Sequence, residues 1–263
     1  MIELLNRCNE IYGNTECCHR EQNRICNCTD CLQEGFYGKP DWYNCLKKLC
    51  SYTMNYGPCY TSEIYNYLQT DRLLENHYLN QTIKILSLGC GFCPDWFAFN
   101  KYIIDNNLPI EIDYTGIDQE PLWDHIRVKR YNVNIICQSV LTGFSLSGYD
   151  IVIIDKLFST LKANNTHEEF LQLLLQEIKS SLKTGAHLIF NDVNHWNKGR
   201  DDFDTAVSPF FADSRRYRFN IDNAYKSSYR DINLINNVIE YPPDLTLMPK
   251  SKVTKSVIFV YRK

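Results

Sequence analysis

No run of about 18 apolar residues occurs anywhere in this sequence, and a helix that crosses a bilayer needs one. The short apolar piece in "MIELLNRCNE" has no basic segment before it, so the pattern of a secretory signal is missing as well. Both absences lead to the expectation of a cytoplasmic chain with no membrane part, in a compartment where thiols stay reduced. Strong charge is lacking too. Lys+Arg 28 stand against Asp+Glu 31, a net −3 at pH 7. That excludes an overall electrostatic footprint for nucleic acid or anionic lipid. A fourth scarcity is local. Beyond residue 60 only Cys90, Cys93 and Cys137 remain, while nine of the 12 cysteines lie between Cys8 and Cys59.

That skew divides the chain. Residues 1–60 form a Cys-rich head, residues 61–82 a linking helix, and residues 83–263 a body of ordinary composition. In a reducing compartment the cysteines call for something other than disulfides. The tightest group is Cys26-x-Cys28-x-x-Cys31. Thiolates so spaced on a short turn converge on one ion, and structural zinc takes four protein ligands in a tetrahedron. Cys17 upstream and Cys45 downstream are candidates to complete the set, with Cys18, His19 and Cys50 also within reach in sequence. Polar, turn-rich pieces such as "NTECCHREQNR" leave the head little apolar material for a core, and a bound metal supplies folding free energy directly. Reduced, unligated thiols acting as small buried hydrophobes and an iron–sulfur cluster stay open as alternatives. The head carries six Lys+Arg against seven Asp+Glu in residues 1–60, which does not suit a nucleic-acid clamp.

From Ile83 the hydrophobic period alternates. "IKILSLG", "IEIDYTGID", "VNIICQSV", "YDIVIIDKLF", "AHLIFND", "RYRFNI" and "KSVIFVYRK" read as strands, seven in all. "DWFAFNKYIIDNN" and "PLWDHIRVKRY" read as helices between them. "THEEFLQLLLQEIKSSL" is a longer helix, with Thr166 and Glu169 spaced as a capping box. "YTSEIYNYLQTDRLLENHYL" predicts the linking helix, with Ser62 as its cap. Strands and helices in alternation argue for an α/β, doubly wound, mostly parallel sheet. Ligands of such sheets bind beyond the carboxyl ends of the strands, at the switch in strand order. The chemistry-bearing residues at those ends are Gly89 to Cys93, Asp118, Gln138, Ser139, Asp155, Lys156 and Asn191 to His195.

Gly89-Cys90-Gly91 closes the first strand, and Asp118 closes the second. Glycines let the backbone pass close to a ligand, and an acid at the second strand end accepts hydrogen bonds from ribose hydroxyls. With "ILSLGCGFCPDW", "YTGID", "CQSV", "YDIVIIDKL" and "SSLKTGAHLIFND", residues 83–263 resemble the class I S-adenosylmethionine-dependent methyltransferases, about two thirds of the chain. The resemblance implies a Rossmann-like fold of seven strands, S-adenosyl-L-methionine as cofactor and methyl transfer as activity. A dinucleotide turn has a third glycine where a helix meets pyrophosphate. A cofactor without pyrophosphate does not need it. Carried onto this chain, the resemblance places Gly89, Cys90 and Gly91 against the methionine and ribose. It places Asp118 on the ribose hydroxyls, Gln119 beside the adenine, Gln138 or Ser139 at the adenine edge, and Asp155 with Lys156 beside the methyl group. Two positions depart from the pattern. Ser87 stands where the family often has an acid, and Cys93 where it often has a glycine.

Methyl transfer needs a base only where the nucleophile must lose a proton. The candidates are Asp155, Asp192 and His195. The family's amino-methylating DNA enzymes carry an Asp/Asn-Pro-Pro-aromatic tetrad after the fourth strand; here that place reads "IDKLF". The acceptor is left open among RNA, protein and small molecules. Two further readings stand beside catalysis: a zinc-headed module on a degenerate methyltransferase fold, binding nucleic acid or protein, and a partner subunit that holds the cofactor structurally.

Overall fold

The computed structural model describes residues 1–15, 45–219, 229–232, 237–250 and 256–263. Its strands are β1 (Gln81–Leu88), β2 (Ile110–Asp118), β3 (Val133–Cys137), β4 (Ile151–Asp155), β5 (His187–Val193), β6 (Asp213–Phe219), β7 (Arg230–Ile232) and β8 (Ser256–Arg262). They form one sheet in the order β3-β2-β1-β4-β5-β8-β6-β7. β8 pairs antiparallel with β5 and β6; every other neighbouring pair is parallel. The sheet thus has eight strands where the sequence pattern predicts seven. The added β7 has three residues, too few for a period of two to register.

β4 shows why the sheet is buried on both faces. Ile151 and Ile153 enter the core on one side, Val152 and Ile154 the core on the other. A strand covered on both faces reads as an unbroken apolar run. Helices α1 (Ile2–Asn14), α2 (Leu46–Asp71), α3 (Leu73–His77) and α4 (Pro94–Asp105) cover the first face. Helices α5 (Phe158–Ala163), α6 (His167–Ser180) and α7 (Arg200–Val207) cover the second. α2 runs unbroken through residue 60, where the composition places a junction, and its Leu49, Met54, Ile64 and Leu68 join the sheet's core.

Three local expectations are corrected. Ser62 caps nothing: it lies inside α2, and its hydroxyl donates to the Pro58 carbonyl at 2.6 Å. "PLWDHIRVKRY" gives a single 3-10 turn, Pro121–His125. Arg127 just beyond it turns inward, its Nε donating to the Gly91 carbonyl at 2.6 Å, and this tertiary bond outweighs helix propensity. Thr166 does precede α6, but its side chain makes no cap bond and donates to the Leu161 carbonyl instead, while Glu169 is exposed. Among the described residues no helix is long and apolar enough to cross a membrane.

Candidate functional site

β1 ends at the switch in strand order, since its neighbours β2 and β4 lead away in opposite directions along the sheet. The turn that follows is built from left-handed backbone: Gly89 has φ 70°, Gly91 φ 48° and Cys93 φ 65°. A side chain at Gly89 would also meet Leu157, with a Cβ only 2.8 Å from its Cδ1. The Gly89 and Cys90 amides both donate to the Ile117 carbonyl, which straps the turn to β2. The Cys90 thiol fills the space above Gly116, where an added Cβ would lie 2.6 Å from its sulfur. Cys90 is therefore a packing residue. Burial, together with the neighbouring Cys93 thiol, pushes its pKa well up, away from thiolate chemistry.

Asp118 meets the turn from the end of β2. Its Oδ2 accepts from the Gly91 amide at 2.8 Å and its Oδ1 from the Glu120 amide at 2.9 Å. Desolvation raises its pKa, and those two amides and Arg127 oppose the shift. Each oxygen keeps a lone pair for a further donor such as a ribose hydroxyl.

Beyond these strand ends lies a cavity of about 380 Å³, within the range of small-ligand sites. Gly89, Cys90, Gly91, Asp118, Gln119, Ser139, Asp155 and Lys156 all line it. Tyr52 and Tyr60 of α2, with Phe92 and Trp123, add aromatic walls; the Tyr52 and Trp123 rings stand edge to face at 6.2 Å. Gln138 is absent from the lining, and its amide donates to the Gly143 carbonyl.

Asp155 and Lys156 of the lining belong to a buried polar network. Lys156 has φ 55°, and its ammonium reaches Glu63 of α2 at 2.6 Å. It also donates to Ser256 at 2.7 Å and to Asn191 at 3.3 Å. Ser256 in turn donates to Glu63, and the Asn191 amide donates to both Glu63 and Asp155, each at 2.9 Å. Asp155 Oδ2 is buried with no partner among the described residues. Burial drives the Asp155 pKa well above the carboxylate range. Lys156 opposes the shift, and Asp95, Glu63 and Asp192 add to it. Burial alone would lower Lys156, yet Glu63, Asp155 and Asp192 outweigh it and hold its pKa up.

The other two candidate bases lie elsewhere. Asp192 is buried, and its oxygens accept from the Ser159 and Val193 amides, which anchors the start of α5. His195 is exposed ahead of the 3-10 turn Trp196–Lys198. Neither lines the cavity. Asn191 belongs to the strand-end set; Glu63 and Ser256 are the partners that strand-end reasoning does not reach. The signal for Glu63 is its place on the stripe Tyr52, Tyr56, Tyr60, Glu63, an acid where helical spacing demands a buried side chain.

Of the candidate zinc ligands, Cys17, Cys26, Cys28 and Cys31 lie outside the described residues. Cys45 is buried just before α2. Among the described residues no cluster of three or more His, Cys, Asp or Glu side chains stands ready for a metal, and the seven described cysteines are free thiols.

No protein-family model and no curated protein matches the chain. Solved structures do match. The N-methyltransferase NodS from Bradyrhizobium japonicum WM9, in complex with S-adenosyl-L-homocysteine, is 12% identical with a TM-score of 0.50, over 89% of this chain and 98% of that one. A putative class I S-adenosylmethionine-dependent methyltransferase from Listeria monocytogenes is 14% identical with a TM-score of 0.44, over 100% of this chain and 88% of that one. The plantazolicin methyltransferase BpumL is 16% identical with a TM-score of 0.43, over 78% of this chain and 66% of that one. At such identities the likeness to NodS is one of fold alone. The chain has the Rossmann-like α/β fold of that N-methyltransferase.

Proposed function

We propose that this protein is an S-adenosylmethionine-dependent methyltransferase. One observation carries the reading: a left-handed glycine turn bonded to Asp118 lines one cavity together with Asp155, whose buried Oδ2 has no partner among the described residues. The residues fit the cofactor. Gly89 and Gly91 leave the turn bare, Asp118 and Gln119 stand where an adenosyl group is held, and Ser139 faces the same space. Ser139 takes the place beside the adenine edge because the Gln138 amide is bonded to Gly143. When bound, this cofactor supplies a methyl group on sulfonium, open to in-line displacement.

The chain's own part is to align, to exclude water and to move a proton. Tyr52, Tyr60, Phe92 and Trp123 wall off solvent. Asp155 Oδ2 accepts the acceptor's proton, and a carboxyl with a raised pKa is a better base near neutrality than an ordinary one. Glu63 and Lys156 hold Asp155 in place through Asn191. Asp192 and His195 rank behind Asp155 as bases, because one is engaged by backbone amides and the other is exposed.

The reading includes a structural zinc in the N-terminal module, residues 1–60, with Cys17, Cys26, Cys28, Cys31 and Cys45 as candidate ligands. It rests on their spacing. The module serves structure or choice of acceptor, and the acceptor class stays open among RNA, protein and small molecules.

Calorimetric titration with S-adenosylmethionine, on protein whose zinc content is measured, tests the proposal. Expected are saturable binding, its loss in Asp118→Ala, and one or two zinc ions per chain. A folded, zinc-loaded protein that does not bind the cofactor would sink the enzyme reading and favour a zinc-headed binding module. Zinc-free protein that folds and binds the cofactor would remove the metal from the reading.

A further inference from the structure

A second cavity, of about 370 Å³, lies beside the first. Phe92 walls both. We propose that this second cavity binds a small organic anion with an apolar body, separately from the cofactor.

The hollow has a cause in the chain. Parallel strands are joined by a crossover, usually a helix that covers the sheet face. Between β2 and β3 the crossover contains only the 3-10 turn Pro121–His125. Val133 and Ile135 of β3 are consequently half-buried, and they line the cavity with Phe92, Trp96 and Phe97. Apolar walls open to water favour an apolar occupant.

Polar groups select its charge. Trp96 is buried (6% exposed), and its indole N–H has no acceptor among the described residues. A buried donor left unpaired is costly, and a ligand oxygen would satisfy it. Arg127, Lys129 and Arg130 line the same cavity. Arg127 is spent on the Gly91 carbonyl and Asp124, and Arg130 is paired with Glu3. Lys129 is exposed and has no carboxylate partner among the described residues. Asp124, the acid in the lining, is already paired with Arg127. The surplus is positive. A carboxylate, sulfonate or phosphate on a ring or short alkyl body matches it, and a cation does not.

The test is nitrogen-15 NMR of the indole groups during titration with 1-naphthoate. The chain has four tryptophans, and Trp96→Phe identifies the signal of interest. We expect that signal to shift saturably, with a dissociation constant below about 1 mM for a ligand of this size. Lys129→Glu weakens binding roughly tenfold, as a reversed charge within a few ångströms should. Val128→Trp, which narrows the cavity, weakens it further in protein whose thermal melting is unchanged. Asp118→Ala leaves it intact, which separates this site from the cofactor site. The proposal is overturned by no saturable shift, by equal affinity for the neutral analogue 1-naphthalenemethanol, or by displacement of naphthoate by S-adenosylmethionine. Undiminished binding in a folded Val128→Trp variant overturns it too.

Discussion

Glu63→Gln tests the polar network directly. The substitution keeps the shape and removes the charge that faces Lys156 at 2.6 Å. Both groups are buried, Lys156 at 7% exposure and Glu63 at 0%. At an effective dielectric near 20 the pair's Coulomb attraction is roughly 6 kcal/mol at that separation. Asp155 recovers part of it. Burial and nearby carboxylates including Glu63 raise its pKa, so removing Glu63 lowers that pKa and favours the ionised form beside Lys156. The net loss is then about 3 kcal/mol, the lower end of what breaking a buried pair costs. Urea unfolding followed by circular dichroism and fluorescence together measures it, with coincident transitions as the check on two-state behaviour. Adding Asp155→Asn to Glu63→Gln removes the compensating carboxylate, so the double variant should lose more than the sum of the singles. Glu63→Gln with Lys156→Met should regain stability over Glu63→Gln alone, because the stranded charge is gone. A loss under about 1 kcal/mol for Glu63→Gln, or no gain from Lys156→Met, refutes the reasoning.

Two more predictions follow from the same geometry. Asp155 has a folded pKa raised well above its ordinary value of 3.8. The folded state therefore holds the proton more tightly, and its stabilising effect is full below pH 3.8 and is lost as pH rises through the folded value. Asp155→Asn should flatten that part of the stability–pH curve, read by urea midpoints at stepped pH; an unchanged slope rules Asp155 out as its source. Gly116→Ala places a Cβ 2.6 Å from the Cys90 sulfur. It should cost about 2 kcal/mol and weaken S-adenosylmethionine binding, with Cys90→Gly restoring most of both. Binding and melting temperature in the single and double variants decide it, and no rescue by Cys90→Gly would place the strain elsewhere.

Much of the body was legible because its signals are local. A β4 buried on both faces writes itself as "IVII", and α6 shows an apolar stripe at helical spacing. The strand ends then locate the cavity, since the topology fixes where a ligand can sit. What the pattern misses is long-range. Nothing near Glu63 in sequence announces Lys156, 93 positions on (156 − 63), or Ser256, 193 positions away. The helix expected after Pro121 fails for the same reason, because Arg127 answers to the Gly91 carbonyl and not to its neighbours. Thr166 and Glu169 match a capping box in spacing, yet Thr166 bonds backward to Leu161. Short motifs state what a segment can do; the tertiary partners decide which option it takes.

The cysteine skew suggests a head attached to a body, but α2 serves both. Its residue 52 and residue 60 tyrosines wall the cavity, and its Glu63, less than one turn further, holds Lys156 of the lining. Cys45 stands immediately before the helix begins. A metal bound by Cys45 would therefore sit at the start of the helix that lines the cavity. Truncation before α2 would then disturb Tyr52 first and leave the Glu63–Lys156 pair, three turns away along the same helix, held by the sheet.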